Sequence, residues 1–149
     1  GIIELSDGKI LCWYRTAGGC QYKAWSHDGG EHWTAPIPAS EFPSPSSPLA
    51  MKRDPKSGDL IAIWNDYSPE RSVHFHEGVI GRTPLVLARS HDEGRTWTDH
   101  SVLENAPDHG YAYTAMEFAD KRLYLAYCCG GRSSCNSMLQ DIRIRSLTL

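Results

Sequence analysis

Few residues of this 149-residue chain stand at spacings that carry chemistry by themselves. The sharpest group is His74-Phe75-His76-Glu77, in which two imidazoles alternate. On a strand they would share a face and could ligate a metal. No third His or Cys follows at a fitting spacing, and the run sits in a loop. It reads better as a loop lining a cleft ahead of Arg82, so no metal and no cofactor is expected. Asn65, Asp66 and His109 are cleft-loop candidates on the same grounds. The five cysteines, Cys12, Cys20, Cys128, Cys129 and Cys135, match no zinc spacing. They read as small buried hydrophobes, with a bridge from Cys20 or Cys135 left open for an oxidising compartment.

Arginines and tyrosines offer a second kind of chemistry. A guanidinium grips a carboxylate through paired N–H donors, a geometry that Lys cannot reproduce. A phenol near pKa 10 is a poor nucleophile unless a neighbour takes its proton. Taken singly, Arg15, Arg53 and Arg82 are solvated or ion-paired strand-end residues. Tyr111 and Tyr113 are by default packing aromatics. Trp13, Trp25 and Trp64 read as core or sheet-packing residues rather than as sugar platforms.

The elements that would position them are announced by a repeat. Ser26-His-Asp28-Gly-Gly30-Glu-His-Trp33 recurs as Ser90-His-Asp92-Glu-Gly94-Arg-Thr-Trp97, 64 residues later. Both copies fit Ser-x-Asp-x-Gly-x-x-Trp, and each follows an apolar segment and precedes a polar one. The Asp can accept hydrogen bonds from amides of its own turn. The Gly can take positive φ, and the Trp can pin the turn onto a sheet. A fixed repeat sets the architecture before any single residue does.

Three similar units follow. Tight turns centred near Asp7, Gly58 and Asp120 stand 51 and 62 residues apart, a spacing that suits four strands per propeller blade. Five Trp, seven Tyr and thirteen Gly in short turn-bounded segments predict an all-β fold; no long stretch has helical periodicity. Residues 36–48, with five prolines, read as an extended crossover between blades. The net charge of −3 gives no support to a nucleic-acid or anionic-membrane partner. No apolar run approaches the ~20 residues of a membrane span. No signal peptide is visible, and Gly1 as first residue points to a processed, trimmed or fragmentary chain.

The doubled motif resembles the Asp-box of the sialidase superfamily. That resemblance covers essentially the whole chain and implies a sialidase-type six-bladed β-propeller. The chain would hold about three blades, at roughly 1–40, 45–105 and 110–149, forming the C-terminal half. It would need the missing N-terminal half to close the ring, unless a separate chain or a second copy supplies the rest. Within the resemblance, Arg15 in Leu11-Cys-Trp-Tyr-Arg15 matches the second Arg of a substrate-binding triad, and Arg82 in Gly81-Arg-Thr-Pro-Leu matches the third. Thirty-one residues beyond Arg82, Gly110-Tyr-Ala-Tyr113-Thr matches the segment of the nucleophilic Tyr. Tyr113 fits better than Tyr111; if Tyr113 starts an inner strand, the two share a face. Arg53 is a weaker rival to Arg82.

The implied activity is that of a retaining exo-glycosidase releasing terminal sialic acid or a related acidic sugar. Arg15 and Arg82 would hold the sugar carboxylate, Tyr113 would attack, and Tyr111 and Asn65 would contact substrate. The implied partner is a sialoglycoconjugate or other acidic glycan. The Glu that activates the Tyr is expected two residues before Gly1, and the acid/base Asp and first Arg belong to earlier blades, so this chain alone should be catalytically incomplete. The Glu expected about fifteen residues beyond the Tyr is replaced by Tyr127-Cys128-Cys129, which points to a divergent branch. A non-catalytic carbohydrate- or protein-binding propeller is the alternative, and a glycosidase for a neutral sugar a third reading. The resemblance implies a secreted or periplasmic protein; the residues themselves leave the compartment open.

Overall fold

The structure, a computed structural model, describes residues 1–72, 81–131 and 139–149. The described residues form eleven strands and no helix. Sheet 1 contains β1 (Ile2–Glu4), β2 (Ile10–Tyr14), β3 (Cys20–Ser26) and β4 (Ile37–Pro43) in that order. Sheet 2 contains β5 (Ala50–Arg53), β6 (Leu60–Asn65), β7 (Leu85–Ser90) and β8 (Thr98–Glu104). Sheet 3 contains β9 (His109–Ala119), β10 (Arg122–Gly131) and β11 (Asp141–Leu147). All pairings are antiparallel meanders.

Sheet 2 is the middle layer, and its sequence states why. Every residue of β6 is at most 1% exposed. Successive side chains of a strand point to opposite faces. Leu60, Ala62 and Trp64 therefore join Leu11, Trp13, Phe42 and Leu49 in a core shared with sheet 1. Ile61 and Ile63 join Tyr111, Leu123, Leu125 and Tyr127 in a core shared with sheet 3. β7 divides in the same way, Val86 and Ala88 to one side and Leu85 and Leu87 to the other. A continuous apolar run is what a strand buried on both faces requires.

The registers sort the loops onto two ends. Leu60 opposite Ser90, Ile10 opposite Ser26 and Arg122 opposite Ala119 put the tight turns and both Asp-boxes at one end. Tyr14 opposite Tyr22, Asn65 opposite Leu85 and Gly131 opposite His109 define the other end. One expectation is corrected here: residues 37–43 of the proline-rich segment are strand β4, with Pro43 opposite Cys20 and Pro38 opposite Tyr22. β4 pairs with β3 alone, so its free edge tolerates residues that lack an N–H.

Each Asp-box is closed by the contacts that its residue types allow. In the second, the Ser90 hydroxyl donates to Asp92 Oδ1 (2.8 Å) and accepts from the Gly94 amide (2.8 Å). Asp92 also accepts from the Thr96 amide (2.8 Å) and hydroxyl (2.6 Å). The first copy repeats this with Ser26, Asp28 and Gly30, with His32 in place of Thr96. Gly30 and Gly94 sit at φ 99° and 79°. The two Trp differ. The Trp97 ring packs 4.9 Å from Phe42 of sheet 1, whereas Trp33 is 42% exposed, its Nε1 donating to the Gly30 carbonyl (3.0 Å).

Hydrogen bonding, led by the Thr96 hydroxyl, holds the Asp92 carboxyl at about 2, below its usual 3.8. Arg89 does the same for Asp59, also to about 2. A carboxylate with a depressed folded-state pKa stabilises the fold above its unfolded pKa, and that stability is lost as pH falls through the folded value. The melting temperature is therefore expected to fall between about pH 4 and pH 2. Asp92→Asn, which removes one titrating group, should flatten that limb when Tm is followed by Trp fluorescence. An unchanged slope would remove Asp92 from the account.

Candidate functional site

At the end opposite the Asp-boxes, three segments from three sheets meet. The first is set by a bulge. β9 and β10 run in register with Ala115 opposite Ala126, then shift so that Ala112 lies opposite Cys128. Tyr113 and Thr114 thus face the single residue Tyr127, a two-against-one arrangement that bends a strand and re-aims its side chains. Tyr113 takes φ 57°, in the left-handed region. For a bulky residue that is a strained conformation, of a kind that clusters at functional sites.

The bulge separates the two tyrosines, correcting the expectation that they share a face. Tyr113 is 49% exposed, whereas Tyr111 is 1% exposed. Tyr111 stacks with His109 and meets Tyr127 edge-on, both at 6.3 Å between centroids. Burial raises its phenol pKa. A substrate contact by Tyr111 is therefore not available to it. Its backbone matters instead: the Tyr111 amide donates to the Arg82 carbonyl (2.8 Å).

Arg82 is the second segment, leading into β7. Its guanidinium lies over the Tyr113 ring, 5.4 Å from the centroid, a cation–π placement. Nη2 donates to the Ser46 carbonyl (3.2 Å), and Nε is buried without a hydrogen-bond partner. Arg15, just beyond β2, is the third segment and is exposed. Hydrogen bonding from Arg82 first, then from Arg15, with the positive charge of both, lowers the Tyr113 phenol below its usual 10. Two cations beside a hydroxyl favour its ionised form. They can also hold an anionic group next to it.

Other sequence candidates fall elsewhere. Asn65 is 1% exposed, and its amide donates to the Arg82, Pro84 and Tyr111 carbonyls. It therefore faces backbone, and the direct substrate contact expected of it is corrected. Asp66 is likewise buried, accepting from the Ser68 amide (2.8 Å) and from Arg71 Nε. His109 is partly buried, paired through Nδ1 with Asp108 (2.8 Å). Arg53 lies at the Asp-box end. There it grips Glu93 through both Nη atoms (2.8 and 2.9 Å) and the Glu4 carbonyl (2.9 Å). Glu93 also accepts from the Ser6 amide (2.9 Å), so Arg53 braces sheet 1 against sheet 2. Trp13 and Trp64 are buried in the core, and Trp25 packs against it. Among the described residues no group of three His, Cys, Asp or Glu could hold a metal. His74, His76, Glu77 and Cys135 lie outside the described residues.

The model of the BNR repeat-like domain family matches residues 1–125. No curated protein sequence matches significantly. Among solved structures, the intramolecular trans-sialidase of Ruminococcus gnavus superimposes with a TM-score of 0.68 at 18% identity, covering 100% of this chain and 32% of its own. The NanB sialidase of Streptococcus pneumoniae gives 0.66 at 19%, covering 99% and 22%. The α-L-arabinofuranosidase Arb93A of Fusarium graminearum gives 0.65 at 16%, covering 99% and 44%. The chain thus spans less than half of each of these proteins, and identities this low establish the fold. The three meander sheets are part of a sialidase-type β-propeller, and the chain belongs to the BNR repeat-like domain family.

Proposed function

We propose that this chain contributes the nucleophile and two of the substrate-binding arginines of a retaining exo-glycosidase acting on terminal sialic acid or a related acidic sugar. The observation that carries the reading is the Arg82 guanidinium lying over the Tyr113 ring, with Arg82 and Arg15 both lowering the pKa of the Tyr113 phenol from separate segments of the chain. Two cations at one phenol match a substrate whose carboxylate sits on the carbon under attack. A carboxylate nucleophile would be repelled there, whereas a phenol is not. Tyr113 Oη would bond to the anomeric carbon as the bond to the leaving oxygen breaks. A base takes the phenol proton and an acid protonates the leaving oxygen; neither is among the residues assigned in this chain. Water then releases the sugar and restores the phenol.

The fold does not choose the sugar, since the similar proteins include an arabinofuranosidase as well as sialidases. The arginine pair favours an acidic one. The test is hydrolysis of a fluorogenic sialoside and a fluorogenic arabinofuranoside by the complete propeller. The expected result is a higher kcat/KM for the sialoside and negligible turnover by the 149-residue chain alone. Preference for the neutral sugar rejects the reading, and substantial turnover by the chain alone rejects the assignment of groups to other blades. A non-catalytic glycan- or protein-binding propeller draws support from Tyr127-Cys128-Cys129, where Cys129 is buried and Tyr127 donates to Glu104. Turnover of neither sugar would favour it.

A further inference from the structure

Asn65 is the last residue of β6 and the polar end of an otherwise apolar buried strand. Its Nδ2 lies 2.8 Å from the Arg82 carbonyl, 3.1 Å from the Tyr111 carbonyl and 3.3 Å from the Pro84 carbonyl. Three acceptors around one nitrogen fix the orientation of the amide, because only the NH₂ can face them. Asn65 Oδ1 is buried without a hydrogen-bond partner. A leucine of the same branched shape would leave no polar atom of its own unpaired, so the amide here calls for an explanation.

The contacts supply one. Arg82 lies on the segment leading into β7 of sheet 2 and Tyr111 on β9 of sheet 3, two residues before Tyr113 on the strand that bulges. The Arg82 carbonyl accepts from both the Asn65 side chain and the Tyr111 amide, so one side chain and two backbones form one knot. We propose that Asn65 is a positioning residue that holds Arg82 over Tyr113 by tying the Arg82 backbone to that of Tyr111, two residues before Tyr113 on β9. It touches neither the guanidinium nor the phenol. The inference rests on the reading of Tyr113 and Arg82 as one site. Small displacements at such a site are costly, about 10²-fold for ~1 Å.

The test uses the complete protein labelled with ¹³Cζ-tyrosine, the Tyr113 signal being identified by its loss in Tyr113→Phe. In Asn65→Leu and Asn65→Asp the titration of Tyr113 is expected to move upward towards an ordinary tyrosine, and sialoside kcat to fall about 10²-fold. A folded variant with a lower Tm but an unmoved Tyr113 titration overturns the proposal, since Asn65 would then only stabilise the core. Unfolding of both variants overturns it too, because Asn65 would then hold the fold as a whole. In the unsubstituted protein the Asn65 carboxamide protons should exchange slowly; rapid exchange rules out the knot. If the protein never cleaves a sialoside, the proposed activity fails while the Tyr113 titration still decides the role of Asn65.

Discussion

Tyr113→Phe is expected to lower kcat for a fluorogenic sialoside by more than about 10³-fold in the complete propeller, with sugar affinity nearly unchanged. The substitution removes one oxygen. The ring remains beneath the Arg82 guanidinium, and Phe tolerates φ 57° no worse than Tyr. Binding groups therefore stay where they are. What disappears is the atom proposed to form the covalent intermediate, together with the ionisation that Arg82 and Arg15 promote. Initial rates over a range of sialoside, with a separate titration of free sialic acid, separate the two effects. A Phe variant keeping a tenth or more of kcat would exclude Tyr113 as nucleophile. A parent protein that binds but never turns over would assign the strained tyrosine to recognition.

Arg82→Lys should cost roughly 10–10²-fold in kcat/KM for the sialoside, corresponding to one charge-assisted hydrogen bond of about 1.5–3 kcal/mol. Charge is conserved, so the loss measures the fork. Lys cannot offer two parallel donors to a carboxylate, nor lie flat over the Tyr113 ring as the guanidinium does. The Tyr113 titration should move up, because the larger of its two stabilising partners has been altered. A neutral glycoside, with no carboxylate to grip, supplies the control. Equal losses on both substrates would make Arg82 a packing residue and would leave Arg15 without its partner. Selective loss on the sialoside is the outcome that ties the arginine to a carboxylate.

These expectations depend on unequal contributions from sequence and structure. The Asp-boxes were legible because their bonds are local: Ser to Asp two residues on, and Gly and Thr amides back to Ser and Asp four residues away. The turn chemistry at Asp7, Gly58 and Asp120 was legible for the same reason. Residues 37–43 form a strand despite their prolines, since a proline is excluded from a strand only where both edges are paired, and edge status is not a local property.

The candidate site divides in the same way. The family resemblance singled out Arg15, Arg82 and Tyr113, with Arg53 a weaker rival because each arginine lies near a strand end. Strand register placed Arg53 with the Asp-boxes, against Glu93, and Arg82 at the opposite end. The split between Tyr111 and Tyr113 comes from a bulge, which requires a partner strand with one residue fewer. Asn65 looked like a loop residue because its burial is imposed by β9 of another sheet. The sequence by itself determined an all-β repeat, its turns and the residue types able to act. Tertiary structure decided which of them meet, because register, burial and strand edges arise only when distant segments pair.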